Sequence, residues 1–326
     1  MGPIGAAGRC VAWGEVLWDL FPDQRRLGGA PANVAHHLAA LGAEVALVSR
    51  VGDDEPGRAA VAALAAAGVD VETVQVDPSR ATGAVGVELV AGEARYRFHP
   101  DCAWEHIEWD DRARARVTGA RAICFGTLSQ RRPEARAALD AALAAARATA
   151  AAAGTRFLAV CDLNLRPADQ DVALVRWALG AADVVKLNQR EEAALGRMFG
   201  QRDAVAWLLG EIGAAAVAVS RGEGGCRLVA GARGFAAGPR DVEQAGFPAE
   251  AGGDTVGCGD ALTAVLTIGL LAGAPLARVA EAGCRYAAFV AGQRGAMPPV
   301  PVDLAAEVRA GLAADLPSIV SGDRRG

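Results

Sequence analysis

Gly252-Gly253-Asp254-Thr255-Val256-Gly257-Cys258-Gly259-Asp260 is a glycine-rich stretch that runs directly into an apolar segment, 261–271. Glycine at 257 and 259 leaves the backbone amides free to point at an anion. The start of a helix adds a partial positive charge at the same place. The stretch therefore predicts an anion-binding loop at a helix N-terminus, and the rest of the chain shows which fold presents that loop.

Strand-like and helix-like runs alternate along most of the sequence. The predicted strands are 11–13, 45–48, 122–125, 157–161, 184–187 and 216–220, and the predicted helices lie near 31–41, 55–67, 133–153, 170–179, 189–199, 203–212, 258–272, 275–292 and 302–313. This alternation predicts an α/β fold: a doubly wound, mostly parallel sheet with helices on both faces. No change in composition divides the chain, so we expect one domain over residues 1–326.

Two segments, near 15–27 and 83–107, interrupt the alternation, because each has strand-like character without an intervening helix. Within the second, Ala91-Gly92-Glu93 separates two strand-like runs and predicts a hairpin turn. We expect both segments to form a small β-sheet that covers the carboxyl ends of the main strands as a lid. Its aromatic residues would cover the ligand or meet a second lid in a homodimer; they are Trp18, Phe21, Tyr96, Phe98 and Trp104.

The composition excludes several classes of protein. The 326 residues are 52% hydrophobic and carry a net charge of −5, which argues for a large core and against nucleic acid or a membrane surface as partner. Lys186 is the only lysine, and it lies in Val185-Lys186-Leu187, so the chain has no Walker-type phosphate loop. The four histidines lack zinc-ligand spacing, and the hydrolase and dinucleotide turn motifs are missing.

The cysteines and the N-terminus bear on location. Seven cysteines are scattered without a Cys-x-x-Cys pair, which is typical of reduced thiols, and the first nine residues do not resemble a signal peptide. The longest apolar stretch, 261–274, is too short to cross a bilayer. We therefore expect a cytoplasmic protein.

Asp260 ends the anion loop. An Asp in the first turn of a helix is ordinarily a favourable partner for the helix dipole. A carboxylate beside phosphate-binding amides would repel the ligand, however, unless it accepts a proton from an attacking hydroxyl. We therefore predict that Asp260 is a catalytic base and that the amides of Gly257, Cys258 and Gly259 stabilise the transferred group.

The loop resembles the Asp-Thr-x-Gly-Ala-Gly-Asp signature of the ribokinase or PfkB-type carbohydrate kinases, with Cys258 in place of the alanine. The resemblance covers nearly the whole chain and includes Leu27-Gly28-Gly29-Ala30-Pro31-Ala32-Asn33-Val34-Ala35. It implies a ribokinase-like fold, ATP as the phosphate donor, Mg²⁺ and a sugar acceptor. In such a kinase Gly28, Gly29 and Asn33 contact the sugar, although this segment alone is also compatible with a turn and a helix cap.

Two further matches lie near predicted strand ends. Asn188-Gln189-Arg190-Glu191 resembles the family's Asn-x-x-Glu, which implies that Asn188 and Glu191 organise Mg²⁺ and its waters around the triphosphate. The same two residues are also a routine helix cap and capping box. Arg166, in the segment that begins at Asp162, is predicted to bind sugar or phosphate oxygens, with an interior salt bridge as the alternative.

Ser220-Arg221-Gly222-Glu223-Gly224-Gly225 resembles the family's nucleotide loop, which implies that Ser220, Gly222 and Gly225 bind the nucleotide; a simple hairpin turn is the alternative. Asp254 stands where the family commonly binds a potassium ion, together with backbone carbonyls of the same loop and of a segment matching Arg294-Gly295-Ala296. The alternative for Asp254 is a cap on the turn.

The segments 14–22, 98–104 and 125–131 resemble the fructokinase branch of the family. This resemblance implies that Asp19 holds sugar hydroxyls and that the γ-phosphate of ATP passes to a primary hydroxyl, converting fructose to fructose 6-phosphate. Ribose, 2-keto-3-deoxygluconate, nucleosides and sugar phosphates stay open as acceptors. A catalytically silent sensor of sugar or nucleotide is the non-enzymatic alternative.

Overall fold

The structure is a computed structural model that describes residues 8–22, 24–90, 93–165, 171–232 and 238–313, with the backbone alone described at 87–90 and 93–98. The strands are β1 Cys10–Trp13, β2 Leu17–Leu20, β3 Arg25–Gly28, β4 Val45–Gly52, β5 Val74–Asp77, β6 Gly83–Val90, β7 Glu93–Phe98, β8 Ala122–Phe125, β9 Leu158–Asp162, β10 Val184–Asn188, β11 Ala216–Ser220, β12 Cys226–Ala230 and β13 Asp241–Gln244. The helices are α1 Ala30–Ala40, α2 Glu55–Ala66, α3 Asp111–Val117, α4 Pro133–Ala152, α5 Val172–Ala181, α6 Gln189–Phe199, α7 Ala204–Trp207, α8 Cys258–Ala272, α9 Leu276–Ala291 and α10 Val302–Ala313.

A nine-stranded sheet forms the centre of the molecule, in the order β13-β12-β11-β10-β9-β8-β1-β4-β5. The neighbours from β11 to β5 are parallel, and β12 and the edge strand β13 join the sheet antiparallel. The six predicted strands are therefore confirmed, and they lie side by side. Strand β12 and the two edge strands, β5 and β13, were not predicted. β5 is buried at its two ends and at least partly exposed between them, and β13 alternates exposed and half-buried residues. Neither therefore has the continuous apolar run of a central strand.

Helices cover both faces of this sheet, as the alternation predicts. In β1, Cys10 and Ala12 point into one hydrophobic core, which also contains residues of α1, α8 and α9. Val11 and Trp13 point into the other, with residues of α4 and α5. Because successive side chains of a strand face opposite sides, one four-residue strand contributes to both cores.

The predicted helices agree with the observed ones to within about three residues, with two differences. The segment predicted as one helix near 203–212 is the short α7 followed by a π-helical turn, Leu208–Ile212, that ends at Gly213. The helix α3 was not predicted. Its seven residues include three arginines and bury only Ala113 and Val117, so its apolar periodicity is too weak to recognise.

The predicted small β-sheet is confirmed as a separate sheet in the order β3-β2-β6-β7, and its role as a lid stays a prediction. It draws strands from both insertions: β2 pairs antiparallel with β3 and parallel with β6, and β6 pairs antiparallel with β7. The tip of the predicted hairpin, 91–92, and the side chains of Tyr96 and Phe98 lie outside the described part of the chain. Trp104 is buried with Cys102 and Leu128 in a small core, and its contact with a ligand stays a prediction.

Among the residues that the structure describes, no helix combines the length and apolarity that crossing a bilayer would require.

Candidate active site

Several predicted site residues stand at one edge of the central sheet. The neighbouring parallel strands β9, β10 and β11 end at Asp162, Asn188 and Ser220, and Asn188 is paired with Ser220 in the strand register. Ligands of open α/β sheets bind beyond this carboxyl edge. The structure therefore places these three strand ends where the sequence expects a ligand.

The anion loop has the backbone that its glycines predict. Gly257 is the N-cap residue of α8 with φ 82°, a left-handed conformation that favours glycine, and a Cβ there would lie 2.6 Å from the Cα of Ala296. A Cβ on Gly259 would lie 2.6 Å from Nζ of Lys186. Cys258 begins the helix, and burial raises the pKa of its thiol to about 11, so the side chain stays neutral at pH 7. Its expected contribution is therefore its amide, as predicted.

Asp260 lies in the first turn of α8, where it accepts a hydrogen bond of 2.7 Å at Oδ2 from Nδ2 of Asn33 in α1. This contact joins two segments that are 227 residues apart in sequence. Burial, followed by the negative charge of Asp162, raises the pKa of Asp260 to about 7, against the opposing effects of Lys186 and Asn33. A carboxyl group with such a pKa can take up and release a proton near neutral pH.

Asn33 also presents an unused acceptor. Its side chain is 5% exposed, and its Oδ1 atom is buried without a hydrogen-bond partner among the described residues. A buried acceptor of this kind costs free energy unless a donor satisfies it. A ligand hydroxyl beside Asp260 would supply that donor.

Lys186 forms a buried ion pair that the sequence analysis missed. Its Nζ lies 3.0 and 2.8 Å from the two carboxylate oxygens of Asp162, and Thr263 of α8 donates a hydrogen bond to the same carboxylate at 2.8 Å. Burial lowers the pKa of Lys186, but the charges of Asp162 and Asp260 outweigh it and raise the pKa overall, so the ammonium stays charged. The signal in the sequence was a lone lysine within a buried strand.

Asn188 and Glu191 form a capping box at the start of α6. Asn188 Oδ1 accepts hydrogen bonds from the amides of Arg190 and Glu191, and Glu191 Oε2 accepts one from the amide of Asn188. Glu191 Oε1 accepts another from the amide of Leu165. Burial, then Asp162, raises the pKa of Glu191. The capping interpretation is therefore confirmed, and the role toward Mg²⁺ stays a prediction.

The predicted nucleotide loop connects β11 to the antiparallel β12, so it has the geometry of a hairpin turn. Ser220 donates its hydroxyl to the carbonyl of Leu187 at 3.4 Å. Gly222 and Gly225 have φ values of 56° and 88°. Nucleotide binding by this loop stays a prediction, and Arg166 lies outside the described residues.

The predicted sugar residues come together where the lid meets α1. Asp19 lies on β2, and a Cβ on Gly28 would be 2.8 Å from its Oδ2 atom. Gly29 is the N-cap residue of α1, and Asn33 lies one turn further along the same helix. The structure therefore brings these four residues close to one another, as the sequence predicts.

Both carboxylate oxygens of Asp254 accept hydrogen bonds from protein groups. Its Oδ2 atom accepts hydrogen bonds from Arg26 Nη1 and from the amide of Gly295, both at 3.0 Å, and its Oδ1 atom accepts one from the amide of Val256 at 3.1 Å. The contact with 294–296 is thus present, and so is the turn cap that was the alternative.

A surface cavity of about 390 Å³ lies behind lid strand β3, bordered by Arg26, His36 and Arg294 among others. Asp260, Asn33 and Asp19 do not border it. The residues predicted for catalysis and sugar binding therefore lie outside the lining of this cavity.

The doubly wound sheet, the separate lid and the anion loop before α8 together define a ribokinase-like kinase. The sequence profile of the pfkB family of carbohydrate kinases matches residues 16–303, and the chain belongs to that family of sugar kinases.

Individual relatives agree on the family and differ in substrate. A putative sugar kinase of Pyrococcus horikoshii is 25% identical and covers 89% of this chain and 92% of its own length. An ATP-dependent ribose-1-phosphate kinase of Halopiger xanaduensis is 30% identical, with 88% and 93% covered. Fructokinase-1 of Zea mays is 29% identical, with 80% and 83% covered.

Solved structures confirm the fold. A fructokinase from Xylella fastidiosa with bound ATP has a TM-score of 0.79 at 21% identity and covers 92% of this chain and 97% of its own. A putative ribokinase II from E. coli in complex with ATP and Mg²⁺ has a TM-score of 0.77 at 22% identity, with 93% and 98% covered.

Proposed function

We propose that this sugar kinase transfers the γ-phosphate of ATP to a primary hydroxyl of its sugar, and that the sugar is fructose. The observation that carries the proposal is the contact between Asp260 and Asn33 beside the anion loop. It places a carboxyl group of pKa about 7 and an unsatisfied acceptor next to amides suited to a phosphate. The fructokinase relatives, and the ATP in the Xylella fructokinase structure, support the choice of both substrates.

The reaction follows from these positions. The carboxylate of Asp260 accepts the proton of the sugar hydroxyl while the oxygen forms a bond to the γ-phosphorus, and the bond from that phosphorus to the β,γ-bridging oxygen breaks to release ADP. The amides of 257–259 stabilise charge on the transferred group. Lys186, whose ammonium lies against Gly259, adds a fixed positive charge at the same place.

Mg²⁺ fits this site as an ion that arrives with the nucleotide. In the described part of the chain no three His, Cys, Asp or Glu side chains form a cluster able to hold a metal ion. The carboxylates of Asp162 and Glu191 are held by Lys186, Thr263 and backbone amides. Mg²⁺ normally keeps several waters and binds substrate phosphates with few protein ligands, so these residues would contact its waters. When bound, it neutralises charge on the phosphates.

The experiment that tests the proposal is a panel of sugars in a coupled assay of ADP release, with fructose, ribose, 2-keto-3-deoxygluconate, nucleosides and sugar phosphates each present in turn. Fructose is expected to give the highest kcat/KM. A higher value for another acceptor would overturn the choice of sugar. Calorimetric binding of ATP and sugar without ADP release across the panel would favour the sensor.

Replacement of Asp19 by alanine is expected to raise the KM for the sugar by about one to two orders of magnitude, because a buried hydroxyl contact contributes roughly 1–3 kcal/mol. The KM for ATP should change little, since Asp19 lies on the lid, beside Gly28. Steady-state kinetics with each substrate varied in turn measure both constants. A change confined to the KM for ATP would show that the lid does not cover the sugar.

The potassium site at Asp254 is a second expectation about the same loop. A potassium ion would use backbone carbonyls of the loop or displace Arg26 from the carboxylate, since Arg26 already supplies a positive charge there. Rates are to be compared in potassium-containing and potassium-free buffers of equal ionic strength. A lower rate without potassium supports the site, and equal rates reject it.

We also propose a cytoplasmic location, a single domain over residues 1–326 and a homodimer formed through the lid. All seven cysteines are free, including Cys226 and Cys284, whose sulfur atoms lie 3.4 Å apart in a thiol hydrogen bond, and this fits a reducing compartment. Among the described strands, β3 and β7 form the edges of the lid sheet, and an edge strand can pair with a second copy.

A further inference from the structure

Arg26 is a residue of the lid whose side chain reaches the phosphate-binding loop. It belongs to β3, two residues before Gly28, and the register of β2 and β3 places it directly opposite Asp19. Residues opposite each other in an antiparallel pair project from the same face of the sheet. From that face Arg26 Nη1 reaches Asp254 Oδ2 at 3.0 Å, across 228 residues of sequence. Arg26 therefore shares a face of the lid sheet with Asp19, a predicted sugar-binding residue, and its guanidinium contacts the start of the loop.

Asp254 in turn fixes the path of the loop. Its carboxylate accepts hydrogen bonds from the amides of Val256 and Gly295, and its own amide donates to the carbonyl of Gln293 at 2.8 Å. Val256 immediately precedes Gly257, where the backbone turns into α8. A displacement of the Asp254 carboxylate would therefore alter the direction of the amides that face the phosphate.

The surroundings of Arg26 hold it in this position. Its guanidinium carbon lies 5.2 Å from the centroid of the Phe21 ring, and its Nε donates to Gln24 Oε1 at 3.3 Å. The side chains of Arg26 and Asp254 are only 26% and 32% exposed. The pair is therefore screened less than a fully exposed ion pair would be.

We propose that Arg26 is a positioning residue that transmits the binding of sugar at the lid to the phosphate-binding loop, through Asp254. This inference rests on the proposed function. A sugar held by Asp19 and Gly28 would restrict the motion of the paired strands β2 and β3, and with them the backbone that carries Arg26. The guanidinium is then held more firmly against Asp254, which holds the loop amides in the orientation needed for transfer. The loop would be ordered fully only when an acceptor is present.

Arg26→Gln tests this role in steady-state kinetics. The expected result is a fall in kcat of about tenfold, with the KM values for sugar and ATP within about threefold of wild type, since the change acts on orientation. Asp254→Asn should show a similar fall, and the double variant should be no slower than the slower single variant, because both changes break one interaction. Arg26→Lys should recover part of the lost kcat. Strictly additive losses would overturn the proposal.

Arg25→Gln is the matched control. Arg25 precedes Arg26 on the same strand, but it pairs with Glu55 of α2, on the exposed surface, at 2.7 and 2.8 Å. Its substitution should leave kcat within about twofold of wild type, since exposed ion pairs contribute little. Equal losses in the Arg25 and Arg26 variants would indicate a general loosening of the lid and contradict a specific role for Arg26.

Amide hydrogen exchange over residues 254–260 gives a readout that needs no turnover. Without ligands, exchange should be faster in Arg26→Gln than in Arg25→Gln. Fructose should slow exchange in the wild type and in Arg25→Gln, with little effect in Arg26→Gln. Equal exchange in both ligand-free variants would overturn the role of Arg26. An absence of turnover with any sugar would overturn the proposed function and leave the exchange comparison valid.

Discussion

Asp260→Asn is expected to lower kcat about 10²–10⁴-fold, the usual effect of removing a general base. The amide oxygen of the new side chain can still accept the hydrogen bond from Asn33, so the geometry of the contact is retained while proton acceptance is lost. Binding of sugar and ATP, measured by calorimetry, should change little. A variant with activity within a few-fold of wild type would show that Asp260 is not the base.

The pH dependence separates the loss of a base from a loss of structure. In the wild type, kcat/KM should rise with pH and level off above about 7, where Asp260 loses its proton, and the residual activity of the variant should lack this rise. The folded pKa of Asp260 lies above its unfolded value of about 3.9, so the wild type loses stability as pH rises from about 4 to 7. Asn carries no such charge. Urea unfolding should therefore show the variant gaining stability relative to wild type between these pH values.

Lys186→Met is expected to impair both stability and catalysis. It leaves the buried carboxylate of Asp162 without its counter-charge, and breaking a buried ion pair in this way costs about 3–5 kcal/mol. It also removes a positive charge beside Gly259, where loss of one stabilising group typically lowers kcat about 10²–10³-fold. Because Lys186 opposes the raised pKa of Asp260, the rise of kcat/KM should move to higher pH. Urea unfolding and a pH profile measure the two effects.

The double variant Lys186→Met/Asp162→Asn distinguishes the two roles of the lysine. It removes both buried charges together, so most of the lost stability should return. The pKa of Asp260 should move back toward that of the wild type, because the two charges act on it in opposite directions. The loss of kcat should persist if the ammonium stabilises the transferred phosphate. Full recovery of kcat would show that Lys186 is needed only to neutralise Asp162.

Coupling through Arg26 would let the binding of sugar at the lid influence the loop that binds the phosphate. Asp260, the proposed base, accepts a hydrogen bond from Asn33 of α1. The loop that leads to Asp260 includes Asp254, which Arg26 contacts. A kinase must avoid transferring phosphate to water, and a loop that is ordered by the acceptor would limit this side reaction. Arg26 would thus connect the lid, which is predicted to cover the sugar, with the loop that is predicted to bind the phosphate.

Much of the site could be predicted because each motif is local. Gly257 and Gly259 follow from the backbone that an anion loop needs, and the positions of Asn188 and Glu191 follow from a capping pattern of four residues. The interpretation of such a motif is harder. The family resemblance implies a role for Glu191 toward Mg²⁺ and its waters; the structure shows both of its oxygens accepting hydrogen bonds from amides, and the role toward Mg²⁺ stays a prediction.

The sequence by itself determined the central strands, most of the helices, the lid segments and the loop before α8, since periodicity, glycines and caps act between residues close in the chain. Only the tertiary structure decided which polar groups pair. The contacts of Asn33 with Asp260, Lys186 with Asp162 and Arg26 with Asp254 span 227, 24 and 228 residues. They depend on strand order, on the register of β2 with β3 and on the packing of α1 against α8. No local pattern specifies these, because such packing is fixed only when the whole core forms.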